Sequence, residues 1–569
     1  MYHYLRLLFV FIIIPFSCCA EQFTFQPIEQ YCAIDKPVLD YQSFDQLFKH
    51  ANSLYVQDKY DEATAIYKQA LGLNPTCAQA FFNMGQSLYK AKKYSEALQA
   101  YKQALVYKKD HKRAYTQIGN LLIDANQPAD AIAPLKMALH LDPRDSKTRL
   151  LLARAYNDKH LFSDALETVA QGLMLDPSDI NLTFELANIH NTLNQLEESL
   201  RIYRELDAYA PNNPSILYNI AFTLKKMGDL PGSLPYYNKV LELNPNHTEA
   251  LFSRGLAYLV IGDFEKGWEG YEWRYSRPSQ GSLRNYSQPR WDGSDLTGKT
   301  ILLHAEQGFG DTFQFIRYAK MVKEKNGTVI AAVQKALVTL MKLCPYIDSV
   351  ISTEDPLPVF DVQAPFMSLP HILKTKIETI PLEIPYIFAD EKLTKDWKEK
   401  LSQDKNFKIG ICWQGNSNYS TPLLRATVAL KSIEAQQFSP LCTVPGVSLY
   451  SLQKTTGTDQ LENLPKHMKL ITFDDTFDQA HGRFMDTAAV MKNLDLIITV
   501  DTSICHLSSA MGIPTWVMVP NPPDWRWMIN RNDTPWYPDM RLFRQPTPGD
   551  WDSVLKTITQ ELHKKVTGK

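Results

Sequence analysis

The 569-residue sequence carries almost no net charge. Its 60 basic residues nearly balance its 62 acidic residues, which leaves a formal charge of −2 at pH 7. Proteins whose main partner is nucleic acid or an anionic membrane surface usually carry a basic excess. The composition argues against both partners, and we expect no nucleic-acid binding. The length predicts about three to five domains.

The sequence also lacks cysteine pairs at metal-ligand spacing. Its eight cysteines are scattered from position 18 to position 505, and no two of them form a CxxC pair. Structural zinc sites need cysteines grouped along the chain, and disulfide frameworks need regular cysteine spacing. Neither is predicted, and the cysteines after the first twenty residues are expected to be buried free thiols.

A short hydrophobic run stands at the N-terminus. Arg6 precedes apolar residues 7–14, and small residues follow up to Ala20. This order is typical of a signal peptide, and the run is too short for a comfortable membrane span. We interpret residues 1–20 as a signal peptide or an uncleaved membrane anchor. The expected location is therefore exported or membrane-associated, with the cytoplasmic face of the membrane as the alternative.

A 34-residue period runs through the first half of the sequence. Small residues recur at that spacing, at Ala51, Gly85, Gly119, Ala153, Ala187, Ala221 and Gly255. A closing proline recurs at Pro75, Pro143, Pro177, Pro211 and Pro245. Seven units in one register predict stacked pairs of antiparallel helices over residues 44–277. The closing proline marks the end of the second helix of each unit, because proline cannot continue a helix. These units resemble tetratricopeptide repeats, so an α-solenoid is expected.

The resemblance implies a protein or peptide partner bound in the groove of the repeats. We interpret the tyrosines that recur between helix pairs as core residues, namely Tyr67, Tyr101, Tyr203, Tyr237 and Tyr271. In the last unit, Trp268 and Trp273 enlarge the apolar face. Such a face is expected where a solenoid packs on another domain.

A different pattern begins after a predicted linker at 278–297. The predicted elements are a strand at 300–304, a glycine-rich turn at 307–311, a helix at 312–325 and a strand at 328–333. This order predicts a βαβ unit. Phe313 stands where a dinucleotide fingerprint has its third glycine, and Gln334 replaces the acidic residue after the second strand. NAD is therefore disfavoured as a ligand.

A second α/β series follows. Strands are predicted at 408–413, 447–452, 470–473, 494–500 and 515–519, with helices at 486–492 and 502–511. A predicted helix at 390–403 separates the two series, which gives two doubly wound domains at 298–390 and 391–569. Such a pair predicts a ligand-binding cleft between the domains.

The turn after the strand that ends at Val500 carries Asp501 and Thr502. Both residues are expected at the carboxyl end of the sheet, where the next helix begins. Free N–H groups and the positive dipole end of a helix bind phosphate without a metal. The alternative is a simple helix cap, which stabilises a helix by about 1 kcal/mol. The local sequence leaves both interpretations open.

Several stretches of the C-terminal half occur together in one known family. They include GWEGYEWRY, WDGSDLTGKTILLHAEQGFGDTFQFIRY, KIGICWQGN, SLYSLQK and MDTAAVMKNLDLIITVDTSICHLSSAMGIP. With these stretches in this order, residues 264–563 resemble the GT-B glycosyltransferases, in particular heptosyltransferase-like enzymes fused to tetratricopeptide repeats. The O-linked N-acetylglucosamine transferases are more distantly similar. The resemblance implies an α/β GT-B fold of two Rossmann-like doubly wound domains after the solenoid.

The resemblance also implies roles for single residues. Asp311 matches a general base for the acceptor hydroxyl, and Arg425 matches a basic residue that neutralises the departing diphosphate. The implied donor-binding residues are Gly308, Gly310, Lys454, Asp501, Thr502, Ser503 and His506. A helix cap for Asp311, a surface position for Arg425 and core packing for His506 are the open alternatives.

Three further expectations concern the site. No metal is expected, and a nucleotide sugar serves as substrate without a further cofactor. Residues 524–527 are expected to pack at the base of the cleft, with Arg526 in reach of an anion.

Together, these expectations predict that the protein is an inverting, metal-independent glycosyltransferase. It moves a sugar from a nucleotide diphosphate sugar donor to an acceptor that the repeats recruit. The alternative is a non-catalytic scaffold for protein–protein interaction with a degenerate transferase domain. The N-terminal segment favours the alternative, because nucleotide sugars are made in the cytosol and an exported enzyme lacks its donor.

Overall fold

The structure is a computed structural model that describes residues 41–277, 286–418 and 422–568. The predicted signal peptide or anchor at 1–20 lies outside these residues. The chain divides into two compact units, of which the first ends at Leu161 and the second begins at Phe162. Among the described helices, none is long and apolar enough to cross a membrane. The cysteines within the described ranges are free thiols, as predicted, but only Cys344, Cys412 and Cys505 are buried. Cys77 and Cys442 are partly exposed, so the prediction of burial is wrong for these two.

The repeat region consists of consecutive helix pairs. Its helices are α1 Tyr41–Val56, α2 Tyr60–Leu73, α3 Ala78–Lys90, α4 Tyr94–Tyr107, α5 Lys112–Asp124, α6 Pro128–Leu141, α7 Ser146–Asp158, α8 Phe162–Leu175, α9 Ile180–Thr192, α10 Leu196–Tyr209, α11 Pro214–Lys226, α12 Leu230–Leu243, α13 Thr248–Ile261 and α14 Phe264–Tyr271. The two helices of each pair are joined by a short turn, as the predicted unit requires.

The same turn conformation recurs along these pairs. Its central residue has a positive φ, at Asp58, Lys92, Asn126, His160, Asn194, Gly228 and Gly262. A left-handed residue within two positions of the end of a helix helps to satisfy its last carbonyl groups and turns the chain. These residues are spaced by 34 positions, so the register that the small residues predict is also present in the backbone.

The small residues let the helices of a pair approach each other closely. A Cβ atom at Gly85 would lie 2.7 Å from the ring of Tyr101, and one at Gly119 would lie 2.4 Å from Leu135. The side chains of Tyr101 and Tyr203 are fully buried. The recurring tyrosines are therefore core residues, as predicted.

The first sheet of the C-terminal region has four parallel strands. They are β1 Thr300–His304, β2 Thr328–Val333, β3 Ser349–Ser352 and β4 Val362–Pro365. They pair in the order β3-β2-β1-β4. The helices between and after them are α15 Phe309–Phe315, α16 Tyr318–Lys323, α17 Val338–Met341 and α18 Leu369–Ile372. A parallel sheet needs such crossover segments, because each strand must return to the same edge.

The second sheet has six parallel strands. They are β5 Phe407–Cys412, β6 Val447–Ser451, β7 Leu470–Ile471, β8 Leu496–Val500, β9 Thr515–Val519 and β10 Met540–Arg544. The accompanying helices are α19 Glu391–Leu401, α20 Pro422–Lys431, α21 Met485–Met491, α22 Ser503–Ala510 and α23 Trp551–Thr567. The strand order is β10-β9-β8-β5-β6-β7. This is the doubly wound order in which ligands bind where the order reverses, here between β5 and β8.

Most predicted strands are confirmed, and β1, β2 and β9 have the predicted bounds. Strands β3 and β4 are not predicted, because four residues each are too short to show a pattern. Strand β10 is also missed, because Arg541 and Arg544 interrupt its apolar residues. The second domain therefore has one strand more than its sequence pattern indicates.

The predicted single helix at 312–325 is instead two short helices, α15 and α16. Arg317 lies at the break, and its buried guanidinium donates hydrogen bonds to the carbonyl oxygen of Trp536 and the hydroxyl of Tyr386, both at 2.7 Å. The amphipathic pattern continues across the break. The helix is therefore interrupted at Arg317, the buried cation whose hydrogen bonds connect this segment to later parts of the chain.

Part of the predicted linker at 278–297 packs on the first sheet. The backbone N–H of Trp291 donates to the carbonyl oxygen of Gln363 in β4 at 2.8 Å. Trp291 and Leu296 are almost fully buried. Residues 286–297 are thus part of the folded domain, which the polar composition around these two side chains does not indicate.

The last repeat packs against both α/β domains within the second unit. Trp268 is 2% exposed. Its ring centroid lies 6.4 Å from that of Phe315 in the first domain and 5.3 Å from that of Trp525 in the second. Trp268 therefore belongs to the packing face that the last unit predicts.

Two repeat turns also contact the C-terminal region. A Cβ atom at Gly228 would lie 3.0 Å from Oδ1 of Asn521, and one at Gly262 would lie 2.8 Å from Cε of Met528. The equivalent turns of earlier repeats carry Asp, Lys, Asn and His. Glycine in the last two turns therefore permits the close approach of the C-terminal region.

Candidate functional site

A cavity of about 1300 Å³ lies at the carboxyl ends of both parallel sheets. The residues that directly follow β1, β2, β6 and β8 line it, namely Ala305, Gln334, Leu452 and Asp501. Most of the predicted site residues line it as well: Gly308, Gly310, Asp311, Lys454, Asp501, Thr502, Ser503 and His506. The residues that line the cavity thus come from both domains.

Asp311 enters the cavity from the first turn of α15. One carboxylate oxygen accepts a hydrogen bond from the backbone N–H of Gly308 at 2.8 Å, so Asp311 also caps the helix. The other oxygen pairs with the guanidinium of Arg526. Burial raises the pKa of Asp311 above its ordinary value, although Arg526 acts against this rise.

Four further charged side chains connect Asp311 with the turn after β8. The Arg526 guanidinium bonds Asp524 at 2.9 Å, the Lys431 ammonium lies 3.8 Å from Asp524, and it bonds Asp501 at 2.6 Å. We call these five residues the ion-pair chain. It contains three carboxylates and two cations, and it begins in the first domain and ends in the second.

Lys431 and Asp524 of the ion-pair chain remain charged in spite of their burial. Burial opposes the charge on Lys431, but the carboxylates of Asp501 and Asp524 outweigh it and raise the pKa of Lys431. Burial also opposes the charge on Asp524, but Arg526 and Lys431 hold its pKa well below the usual range. Both are therefore ionised at neutral pH.

The turn after β8 provides the helix cap that is one of the two roles its sequence leaves open. Thr502 is the N-cap of α22, and its hydroxyl accepts a hydrogen bond from the N–H of Ile504 at 3.3 Å. Asp501 does not cap the helix, because its carboxylate is bonded to Lys431. Ser503 begins α22 at the cavity wall.

His506 lies one helical turn further and is buried. Its Nδ1 is 2.9 Å from the hydroxyl of Tyr537, and its ring stacks on Trp527 with centroids 5.4 Å apart. Burial and nearby cations hold the pKa of His506 well below its ordinary value, so the imidazole is neutral at physiological pH. The packing role and the position on the cavity wall therefore coexist.

Two predicted cations differ in their position. The Lys454 ammonium lies at the cavity wall and donates to the carbonyl oxygen of Phe477 at 2.6 Å. Arg425 is exposed on α20 and is absent from the described cavity lining. Lys431, six residues later on the same helix, reaches the cavity instead. No sequence signal identifies Lys431, because its partner Asp501 is 70 residues away in the chain.

Asp501, Cys505 and His506 offer three ligand atoms that lie within 4.8 Å of one another. A metal ion there would compete with the Lys431 ammonium for Asp501. Burial also raises the pKa of Cys505 well above its ordinary value, and its thiol donates to the carbonyl oxygen of Thr502 at 2.9 Å. These contacts favour a hydrogen-bonded cluster over a cation site.

The repeat region matches a known family. Models of the tetratricopeptide repeat match residues 48–114, 122–183 and 214–247. Protein FlbA of Caulobacter vibrioides is 23% identical over 344 residues, which cover 54% of this chain and 54% of FlbA. The chain therefore spans about half the length of this relative.

Two solved structures resemble the repeats. A tetratricopeptide repeat protein from Parabacteroides merdae is 17% identical and covers 42% of this chain and 95% of its own, with a TM-score of 0.40. Pseudomonas aeruginosa pilF is 18% identical and covers 37% and 96%, with a TM-score of 0.32. On the family matches, the helix pairs of this chain are tetratricopeptide repeats.

Proposed function

We propose that the C-terminal region is a GT-B glycosyltransferase that moves a sugar from a nucleotide diphosphate sugar to an acceptor presented by the repeats. One observation carries the proposal: a single cavity joins the buried carboxylate of Asp311 to the helix start at Thr502 and Ser503. Two parallel α/β domains that meet at such a cavity support the GT-B assignment. The helix start suits a diphosphate, and the carboxylate suits an acceptor hydroxyl.

In the proposed reaction, Asp311 is the general base. The acceptor hydroxyl transfers its proton to Asp311 while its oxygen attacks the anomeric carbon. The bond from that carbon to the diphosphate oxygen breaks, and the diphosphate leaves with the electron pair. The raised pKa of Asp311 favours this step, because a more basic carboxylate is a better proton acceptor. A single displacement inverts the anomeric carbon.

The ion-pair chain links proton transfer to charge on the leaving group. Before the reaction, Arg526 is paired with both Asp311 and Asp524. When Asp311 gains the proton, Arg526 loses one negative partner, so its positive charge becomes available as the diphosphate leaves. We therefore assign the leaving-group cations to Arg526 and Lys431, and not to Arg425.

Three substitutions test the assignment. Asp311→Asn keeps the shape of the side chain but removes the base, so turnover of a nucleotide sugar should fall by about 10²–10⁴-fold. Thermal stabilisation by nucleoside diphosphates should persist in this variant and be lost in Lys431→Gln, which removes a cation assigned to the leaving group. Asp396→Asn, on the exposed face of α19, is the control. Unchanged turnover in Asp311→Asn contradicts the proposal.

The same experiment distinguishes the glycosyltransferase from the alternative, a non-catalytic scaffold. Tetratricopeptide repeats generally bind proteins or peptides, and a scaffold would keep that binding. It would show no turnover with any nucleotide sugar, in the unsubstituted protein as in the variants. Turnover that is present in the unsubstituted protein and lost in Asp311→Asn is the result that favours the enzyme.

We propose that an active transferase keeps its C-terminal region in the cytosol, anchored at the membrane by residues 1–20. The donor is available in that compartment. N-terminal sequencing of the protein isolated from cells tests this location. An intact N-terminus in the membrane fraction agrees with it, and a mature protein that begins after residue 20 in the exported fraction contradicts it.

A further inference from the structure

One face of α11 carries two aromatic rings and a lysine. Tyr218, Phe222 and Lys225 are spaced by four and three residues, so they lie on the same side of the helix. The rings of Tyr218 and Phe222 stack with centroids 6.3 Å apart. All three side chains are partly exposed. This face is therefore accessible and apolar next to a single positive charge.

The neighbouring helix α13 extends this surface. Phe252 lies 34 residues after Tyr218 and is also partly exposed. The guanidinium of Arg277 stacks over the ring of Phe252 at 4.4 Å, and its Nε bonds the carboxylate of Glu249 at 2.9 Å. The charge of Arg277 is thus already paired. We call Tyr218, Phe222, Lys225, Phe252 and Arg277 the Lys225 patch.

Lys225 differs from its neighbours because its ammonium has no hydrogen bond or ion pair among the described residues. The adjacent Lys226, in contrast, donates to the backbone and side-chain oxygens of Asn191 at 2.7 and 3.0 Å. A partly buried cation without a partner is costly, and a bound anion removes that cost.

The electrostatic surroundings of Lys225 agree with this geometry. Burial, with a smaller contribution from Arg277, lowers the pKa of Lys225 to about 8, whereas Glu249 and Asp524 act against this shift. Lys225 therefore remains largely protonated at neutral pH, and a bound carboxylate would stabilise that form.

The Lys225 patch lies next to the cavity. Three residues after Lys225, the turn at Gly228 contacts Asn521, and Asp524 follows in the cavity wall. Asp524 is also close enough to act on the charge of Lys225. The turn at Gly228 therefore connects the Lys225 patch with the segment that carries Asp524 of the cavity wall.

We propose that the Lys225 patch binds an acidic residue of the acceptor polypeptide, so that Lys225 selects acceptor sites flanked by Asp or Glu. The proposal rests on the glycosyltransferase function proposed above. The rings of Tyr218, Phe222 and Phe252 supply an apolar floor for the aliphatic part of the acceptor chain. The unpaired ammonium supplies the contact for the carboxylate.

The test uses the full-length protein and two synthetic peptide pools. Both pools have the same degenerate sequence around a central serine or threonine, and one has glutamate where the other has glutamine. Binding is measured by fluorescence anisotropy at low and physiological salt. We expect the glutamate pool to bind about tenfold more tightly, as one partly desolvated charge pair provides.

Two lysine variants provide the decisive comparison. In Lys225→Gln the preference for glutamate should fall to about twofold or less, and in Lys226→Gln it should persist, because the Lys226 ammonium is already bonded to Asn191. Lys225→Gln removes a partly buried charge that has no partner among the described residues, so no loss of folding is expected.

The outcomes separate this proposal from the proposed function. Equal binding of both pools by the unsubstituted protein, or an unchanged preference in Lys225→Gln, overturns the proposal for the patch. Binding needs no sugar transfer, so the preference can be present even in Asp311→Asn. Turnover that is lost in Asp311→Asn while both pools bind equally supports the enzyme and contradicts the patch.

Discussion

Gly310 tests whether the two α/β domains meet as the structure describes. Gly310 lies in α15, one residue before Asp311. A Cβ atom at this position would lie 2.9 Å from Cδ2 of His506 and 3.5 Å from Cα of Ser503, both on α22. The first distance is shorter than any normal carbon–carbon contact, so Gly310→Ala requires α15 or α22 to move.

His506 cannot yield easily to the added methyl group. Its Nδ1 is bonded to Tyr537, and its ring stacks on Trp527, which is fully buried. Helix α15 must therefore shift away from α22 by several tenths of an ångström. Asp311 moves with it, because it is the next residue in the chain.

The expected cost combines two opposing terms. Overpacking of a tight contact costs about 1–3 kcal/mol. Alanine in place of glycine in a helix stabilises the folded state by up to about 1 kcal/mol. We expect Gly310→Ala to lower the free energy of unfolding by about 1–2 kcal/mol in sum, measured as the shift of the calorimetric midpoint. Turnover should fall by up to about 10²-fold, because the base is misplaced.

Gly415→Ala is the matched control. Gly415 lines the same cavity, but a Cβ atom there would meet only Cγ1 of Val428 at an ordinary 3.5 Å. We expect no loss of stability, and a gain of about 0.4–1 kcal/mol through the unfolded state. If Gly310→Ala is as stable and as active as Gly415→Ala, the contact between α15 and α22 is refuted.

Two further substitutions test the ion-pair chain and the packing of the last repeat. Arg526→Gln removes the cation that lowers the pKa of Asp311, so this pKa should rise further and the acid limb of the kcat/KM profile should move to higher pH. A limb that does not move contradicts the pairing. Gly262→Asn adds a side chain against Met528 in a left-handed turn that asparagine tolerates, and calorimetry should show a loss of about 1–2 kcal/mol. Lys92→Asn, at the equivalent turn of an earlier repeat, should change stability by less than about 0.5 kcal/mol. Equal losses in the two would show that the contact is absent.

Local features of the fold are predictable from the sequence alone. The 34-residue spacing of small residues predicts the repeat register, and the left-handed turns from Asp58 to Gly262 follow it. Strands β1, β2 and β9 have their predicted bounds because buried parallel strands are continuous apolar runs between turn residues. The position of Asp501 and Thr502 after β8 follows from the same pattern. Each of these features depends on residues close together in the chain.

The contacts of the site depend on the tertiary structure. Asp311 pairs with Arg526 across 215 positions, and Asp501 pairs with Lys431 across 70. Pairs so far apart in the chain leave no periodic pattern in the sequence. For this reason the sequence analysis selects Arg425 on α20, although Lys431 on the same helix reaches the cavity. In the sequence, Gly228 and Gly262 are indistinguishable from ordinary turn residues. Only the structure shows that Asn521 and Met528 lie against them. Sequence spacing determines the elements and their register, whereas packing between distant elements decides which charges and which backbone surfaces meet.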